Sequence, residues 1–196
     1  MVIFYGVDED TICPAGCGLR ETRLHYLCCN VPSMKKAHQK HKEIFHHTHA
    51  KLKTAKVIYD ALESIIGAIQ KNDKTPTLLL HYDSPIDRAV RAAWKSQRTI
   101  GWENILKGRI SKLWGKVQAL YYENNILLHD SKQYLESGWM SETVGSFIDL
   151  TLGLWTERYN ILHGSDITEF KQKKKEKMVE RVRLRYEVME TVAPAA

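Results

Sequence analysis

The chain has 196 residues and a net charge of +6, with 43% hydrophobic and 27% charged residues. Such a composition is typical of a globular protein with one or two domains and excludes a disordered or fibrous chain. The longest strongly apolar runs, such as residues 78–80, are far shorter than the roughly 20 residues that cross a bilayer, so we expect no membrane span.

The first ten residues, MVIFYGVDED, begin with a short stretch of extended character and end in acids. They lack the basic region that opens a secretory signal, so we expect an intracellular protein, nuclear or cytoplasmic. In a reducing compartment, clustered cysteines hold metal more often than they form disulfides.

All four cysteines lie in the segment CPAGCGLRETRLHYLCC at residues 13–29. Cys13 and Cys17 flank Pro-Ala-Gly, which favours a tight turn. His25 and Cys29 are four residues apart, so a helix would place them on one face. Together they predict the tetrahedral Cys3His shell of one structural zinc ion, with no open position for chemistry. Cys28 competes with Cys29 as the fourth ligand, and small buried thiols without metal are the alternative.

Helical signals follow in the middle of the chain. Ser33 is a predicted cap for a polar helix to about His47, Thr48 starts a second helix, and KNDKTPT at 71–77 interrupts. Ser84 with Pro85 predicts the next helix start, and further helices are expected from Thr99 and from Arg109. Apart from residues 1–7, only residues 77–82 have extended character.

Five histidines crowd one stretch of the sequence: His38, His41, His46, His47 and His49. A hydrolytic zinc site needs histidines with a carboxylate at fixed spacing, and the HExxH pattern is absent. The favoured interpretation is the polar face of an exposed helix. His38 or His41 replacing a cysteine as a ligand is the alternative.

The segment at 141–162 predicts a long amphipathic helix. Ser141 is its predicted cap, and its expected inward stripe includes Phe147, Ile148, Leu152, Trp155 and Tyr159. The five tryptophans are expected mainly in the core rather than as platforms for bases. The polar Arg158, Asn160 and His163 interrupt this stripe near the helix end. They are expected to hydrogen-bond Trp155 and neighbouring backbone and so lock two helices together, and a binding pocket is the alternative.

A last helix is predicted from the pair Asp166 and Glu169, which resembles a capping box. Its narrow apolar seam comprises Met178, Val182, Tyr186 and Met189. Between residues 171 and 185 it carries two acids and eight bases: Lys171, Lys173, Lys174, Lys175, Lys177, Arg181, Arg183 and Arg185. Such a run can bind phosphate backbones, although a solvated helix face is the commoner meaning.

The predicted fold is therefore all-α, an irregular multi-helix bundle with a small zinc-knuckle-like head. We divide it into a Cys/His head at 1–32, a helical hairpin or linker helices at 33–76, a helical domain at 77–165 and a basic amphipathic helix at 166–196. The sequence lacks GxSxG, Walker A and GxGxxG motifs, so no enzyme is predicted.

Two sets of residues resemble a known family. The segment at 13–29 resembles the Cys-Pro-x-Cys, Glu-Thr-x-x-His, Cys pattern that follows the polymerase in reverse-transcriptase-encoding retroelements. The segments QRTIGWENILKGRISKLWGKVQALYY (97–122) and LWTERYNILHG (154–164) resemble helical blocks after that module. The resemblance implies a zinc-binding, retroelement-associated C-terminal segment. A polymerase is not implied, because no Tyr-x-Asp-Asp motif is present.

These observations predict a non-catalytic protein that binds RNA or DNA backbone, with low sequence specificity, through the zinc head and the basic helix. An assembly accessory of a retroelement protein is the context that the resemblance implies. The alternative is a structural protein that docks a partner, or a second copy of itself, through its last helix.

Overall fold

The computed structural model describes residues 12–71, 73, 75–80, 84–125 and 136–192, with side chains to residue 187. Seven α-helices and one 3-10 helix occupy these ranges. They are α1 (His25–Cys28), α2 (Pro32–Lys51), α3 (Lys56–Gln70), α4 (Pro85–Ile100), the 3-10 helix (Trp102–Lys107), α5 (Lys112–Glu123), α6 (Glu136–His163) and α7 (Ile167–Val192). Over these residues no strand forms, and one isolated bridge joins Ile12 and Arg20. The prediction of an all-α bundle with a small Cys/His head is confirmed. The predicted extended stretch at 1–7 lies outside the described residues, and residues 77–80 form neither helix nor strand.

Helix starts follow local capping chemistry in some places only. Ser84 caps α4 with Pro85 at its first turn, as predicted, and the structure adds a reciprocal capping box between Ser84 and Asp87. Ser33 is not a cap, because α2 already starts at Pro32. Thr48 lies inside α2, where its hydroxyl donates to the carbonyl oxygen of Ile44 at 3.1 Å, so no helix restarts there.

Three further starts differ from the prediction. Thr99 lies in the last turn of α4, which ends at Gly101 with φ of 98°. The helix expected from Arg109 begins at Lys112, because the Ser111 hydroxyl accepts the Leu113 N–H as its cap. Ser141 is interior to α6, which already includes Glu136.

The core forms where α6 packs along α2 and α5, and where α4 packs on α5. Trp114, Trp139 and Phe147 are fully buried there. At Gly153 of α6, an added Cβ would lie 2.1 Å from the imidazole of His41, so this glycine leaves room for the ring against α6. His41 thus faces α6, and the expectation that all five histidines line an exposed face is wrong for His41 and His49.

His49 is 1% exposed and fully hydrogen-bonded as a neutral ring. Its Nε2 lies 3.2 Å from the Ser146 hydroxyl, which itself donates to the Thr143 carbonyl oxygen, so Nε2 is the donor. Its Nδ1 therefore accepts from the Thr54 hydroxyl at 3.0 Å, and the Thr54 oxygen accepts the Trp139 indole N–H at 2.9 Å. This network fixes α6 against α2 and the turn after it.

We expect the free energy of unfolding to depend on pH through His49. Burial, with a smaller effect of His46, lowers the pKa of His49 from 6.5 to about 4. The unfolded chain therefore binds the extra proton first, so stability is complete above pH 6.5 and is lost as the pH falls towards 4. From this shift, we expect His49 alone to remove about 2 kcal/mol of the free energy of unfolding between pH 7 and pH 5.

Urea denaturation of the wild type and of His49→Gln at both pH values measures this loss. The variant should be less stable at pH 7, yet its free energy should fall by about 2 kcal/mol less on acidification. Any acid effect on the cysteine cluster is common to both proteins and cancels in the comparison. Equal pH slopes would contradict the assignment.

Candidate metal centre

The head begins with a compact turn that brings the thiols of Cys13 and Cys17 close together. The Cys13 N–H donates to the Leu19 carbonyl oxygen at 2.8 Å, and the Gly16 N–H donates to the Cys13 carbonyl oxygen at 3.0 Å. Gly16 and Gly18 have φ of 80° and 76°, in the region that favours glycine. The Leu19 N–H points at the Cys17 sulfur at 3.5 Å. This turn matches the tight turn predicted from Pro-Ala-Gly.

The short helix α1 supplies the other two candidate ligands. Its last hydrogen bond runs from the Cys29 N–H to the His25 carbonyl oxygen at 2.8 Å, which places both residues on one face. The ligand atoms of Cys13, Cys17, His25 and Cys29 all lie within 4.8 Å of one another. These four residues are therefore close enough to bind one metal ion, as the sequence predicted.

Two distances among the four ligand atoms are close to those of a tetrahedral zinc shell. Zn–S bonds of about 2.3 Å give a tetrahedron whose sulfurs are roughly 3.8 Å apart. The Cys13 and Cys29 sulfurs are 3.9 Å apart, and the Cys17 sulfur lies 3.2 Å from Nε2 of His25. Cys13, His25 and Cys29 are buried and Cys17 is half-buried. A closed set of three thiols and an imidazole suits a soft or borderline divalent ion.

The structure separates the two adjacent cysteines. Cys28 does not belong to the cluster, which is the one candidate group of metal ligands within the described ranges. Its sulfur lies 3.7 Å from Nδ1 of His25, the nitrogen opposite the one that faces Cys17. It also donates to the His25 carbonyl oxygen at 3.4 Å. Cys29 is thus the fourth candidate ligand, and Cys28 lies behind the imidazole.

A buried ion pair covers the cluster. Arg158 of α6 is 6% exposed, and its Nη1 donates to the sulfurs of Cys29 at 3.3 Å and Cys13 at 3.5 Å. Its Nη2 forms an ion pair with the Glu21 carboxylate. Arg158 therefore locks α6 to the head through these contacts, and not through the expected hydrogen bond to Trp155. Trp155 is instead 36% exposed and stacks on Tyr159.

The arginine changes the acidity of the thiols. Burial raises the pKa of Cys13, but hydrogen bonds from Arg158 and from the Cys17 and Ala15 backbone outweigh it, so the pKa is lowered. Burial raises the pKa of Cys29 to about 11, to which the neighbouring Cys13 contributes. Cys13 is therefore the first of this pair to become the thiolate that a metal needs.

The imidazole is also suited to binding. Burial is the largest cause that lowers the pKa of His25, and it outweighs the opposing effect of Glu21. The ring is thus neutral at physiological pH, which leaves Nε2 free to act as a ligand atom.

None of the five histidines of α2 joins a metal cluster within the described residues. His38 Nε2 donates to the Tyr26 carbonyl oxygen at 2.9 Å, and His46 Nδ1 lies 3.1 Å from the Tyr59 hydroxyl. His38 and His41 therefore do not replace a cysteine.

The basic residues of α7 divide into three groups. Lys173 donates to the carbonyl oxygens of Asn160 and Ile161, and Lys177 donates to that of Leu162, so both cap the last turn of α6. Arg183 pairs with Glu187 at 2.9 Å along the helix. The remaining five are exposed: Lys171, Lys174, Lys175, Arg181 and Arg185. Asp166 and Glu169 begin the helix, with the Asp166 carboxylate accepting two backbone N–H groups.

Glu21 is the site residue that sequence reasoning missed. The acid in the segment RETRLHY was visible beside the cysteines, but its partner lies 137 residues away along the chain. The signal available in the sequence was an acidic residue lying between the cysteines.

No protein-family model, curated protein or solved structure matches this chain. The resemblance to retroelement proteins therefore stays a prediction. None of the described helices is both long and apolar enough to span a bilayer.

Proposed function

We propose that this protein is a zinc-stabilised helical protein that binds the phosphate backbone of RNA or DNA through α7. The observation that carries the proposal is the exposed, cation-dense surface of α7 beyond its base. From residue 174 to 187 every described side chain is exposed. Clustered, solvent-accessible lysines and arginines release counterions from a phosphate backbone, which drives binding of low sequence specificity.

Zinc is the ion we assign to the Cys3His cluster. Three thiolates and one imidazole in a tetrahedral arrangement are a common structural zinc shell, and all four ligands come from protein. The ion would carry a shell of three negative charges, and the buried Arg158 supplies a compensating positive charge. Burial and a complete ligand set favour a structural ion over a catalytic one, which supports a non-enzymatic role.

Salt dependence tests nucleic-acid binding. We expect the wild type to bind a labelled oligonucleotide with an affinity that falls steeply with salt. Replacing Lys171, Lys174 and Lys175 by alanine should reduce the slope of log K against log salt by about 2 to 3, since each lost phosphate contact removes about 0.7 to 0.9. Fluorescence anisotropy across a salt series measures the slope.

The matched control removes the same charge elsewhere. Lys36, Lys51 and Lys107 are exposed on other elements, and their triple alanine variant has the same net charge. Its slope should remain that of the wild type. Lys173→Ala is a second control, for the loss of a structural lysine. It should lower the melting temperature, because Lys173 caps the last turn of α6. Equal loss of slope in both triple variants, or no retention of nucleic acid at low salt, would overturn the proposal.

A second candidate function is protein docking through the apolar seam of α7. Its support is the exposure of Met178, Val182 and Tyr186, which are 61%, 48% and 64% accessible. The side chain of Met189, the fourth predicted member, lies outside the described residues. Such a seam on a charged helix is typical of helices that bind a groove on a partner.

A further inference from the structure

The outer face of α6 carries a stripe of large apolar side chains that the described part of the fold leaves open. It consists of Ile148, Leu152, Trp155 and Tyr159, which are 39%, 49%, 36% and 43% exposed. Their spacing of four, three and four residues places them on one side of the helix. Trp155 and Tyr159 stack with ring centroids 5.5 Å apart. Contiguous exposed apolar surfaces of this kind mark interaction sites.

Other residues of α6 form the side that packs against the core. Phe147, Leu150 and Leu154 are buried in the core, together with Trp139. Helix α6 is thus apolar on two opposite sides, and the core uses only one of them. The outer stripe was expected to be the inward one, and that expectation is wrong.

Charge distinguishes the kind of partner that fits the stripe. Helix α6 contains four acids and one base, and the base is the buried Arg158. Glu142 and Asp149 are exposed, and at 100° per residue they lie roughly 60° to 120° from the middle of the stripe. An apolar stripe with an acidic flank favours a basic amphipathic helix over a nucleic acid, because phosphates would be repelled.

Helix α7 of the same chain has the complementary chemistry. It exposes Met178, Val182 and Tyr186 along one side, and Lys171 and Lys175 continue that side towards the N-terminus of the helix. Helices take most of their stability from packing an apolar face, so a long helix with an open seam lacks its packing partner. Yet among the described residues α7 is anchored to its own α6 near its base, by Lys173 and Lys177, and the stripe stays exposed.

We propose that the outer face of α6 receives α7 of a second copy of this chain. The exchange is reciprocal, so two copies form a two-fold dimer with the same contact made twice. The seam of each α7 covers Leu152 and Trp155 of its partner, and its lysines lie beside Asp149. The proposal goes beyond nucleic-acid binding and does not depend on it.

Sedimentation of the full, metal-loaded chain over a concentration series tests the dimer. We expect a concentration-dependent mass that reaches two chains and falls to one for Leu152→Asp and for Val182→Asp. The control is Leu79→Asp, since Leu79 is 72% exposed but lies outside both surfaces, and it should remain dimeric. Raising the salt should weaken the dimer because oppositely charged groups meet.

Mixing the two monomeric variants identifies the contact itself. Leu152→Asp retains an intact α7, and Val182→Asp retains an intact α6 stripe, so the mixture should form a heterodimer with one of the two contacts. A dimer made of two α7 helices would give no such recovery. Unchanged helical content and metal content in each variant keep loss of folding separate from loss of docking.

The proposal is overturned if the wild type stays monomeric at every concentration, if neither variant alters the mass, or if the mixture fails to associate. Nucleic-acid retention measured on the same samples separates the two functions. A dimer without retention contradicts only the proposed nucleic-acid binding, and retention by a monomer contradicts only the dimer.

Discussion

Cys29→Ser should abolish stoichiometric metal binding and destabilise the head. The variant loses one of four ligands, and the serine hydroxyl is left in a fully buried position beside Cys13. Structural zinc contributes about 10 to 16 kcal/mol of apparent binding free energy in small zinc domains, and this is free energy of folding. We therefore expect the free energy of unfolding to fall by about 4 kcal/mol or more, measured by urea denaturation with elemental analysis of the purified protein.

The adjacent thiol provides the control. Cys28→Ser changes the same atom one residue away, but Cys28 lies behind the imidazole and outside the cluster. It should retain one metal ion per chain and change stability by less than about 1.5 kcal/mol. If Cys28→Ser released the metal and Cys29→Ser retained it, the ligand assignment would be wrong.

Arg158→Met should have the second largest effect. It leaves the Glu21 carboxylate and two thiol sulfurs without their buried positive partner. Removing one partner of a buried ion pair costs about 3 to 5 kcal/mol, because the other charge stays desolvated. We also expect the affinity for zinc to fall, since the anionic shell loses its counter-charge, and competition with a chelator measures that change.

A double-mutant cycle identifies the cause. Adding Glu21→Gln to Arg158→Met removes the stranded carboxylate, so the double variant should be more stable than the single arginine variant. The neighbouring pair Lys40 and Glu157 is a matched control, because its nitrogen and oxygen are 3.1 Å apart but both side chains are exposed. Lys40→Met should cost no more than about 1 kcal/mol. Additive effects of the Arg158 and Glu21 substitutions would show that the pair is not coupled.

The candidate site was largely readable from the sequence because its ligands are local. All four lie within 17 residues, and each pair is positioned by one turn: Pro-Ala-Gly for Cys13 and Cys17, and one helical turn for His25 and Cys29. Backbone geometry alone therefore brought each pair together. It did not decide between Cys28 and Cys29, since positions three and four residues after His25 are both near its face.

The helices were predicted where the signal lies in neighbouring residues. The helix start at Ser84 formed as expected because its capping bonds span only three residues. Ser33, Thr48, Thr99 and Ser141 are residues of the same capping types, yet none of them begins a helix. A serine or threonine caps a helix only where the preceding chain has left the helical conformation, and packing decides where that occurs.

By itself, the sequence determined the all-α class, the cysteine-rich head and the basic last helix, because helical periodicity, ligand spacing and charge are properties of short segments. Tertiary structure decided which side of α6 is buried, since Phe147 and Leu154 faced the core while the equally apolar Leu152 and Trp155 did not. It also joined Arg158 to Glu21 and to the thiols across more than a hundred residues. No local pattern encodes such pairs, because their free energy comes from burial that exists only once the helices have packed.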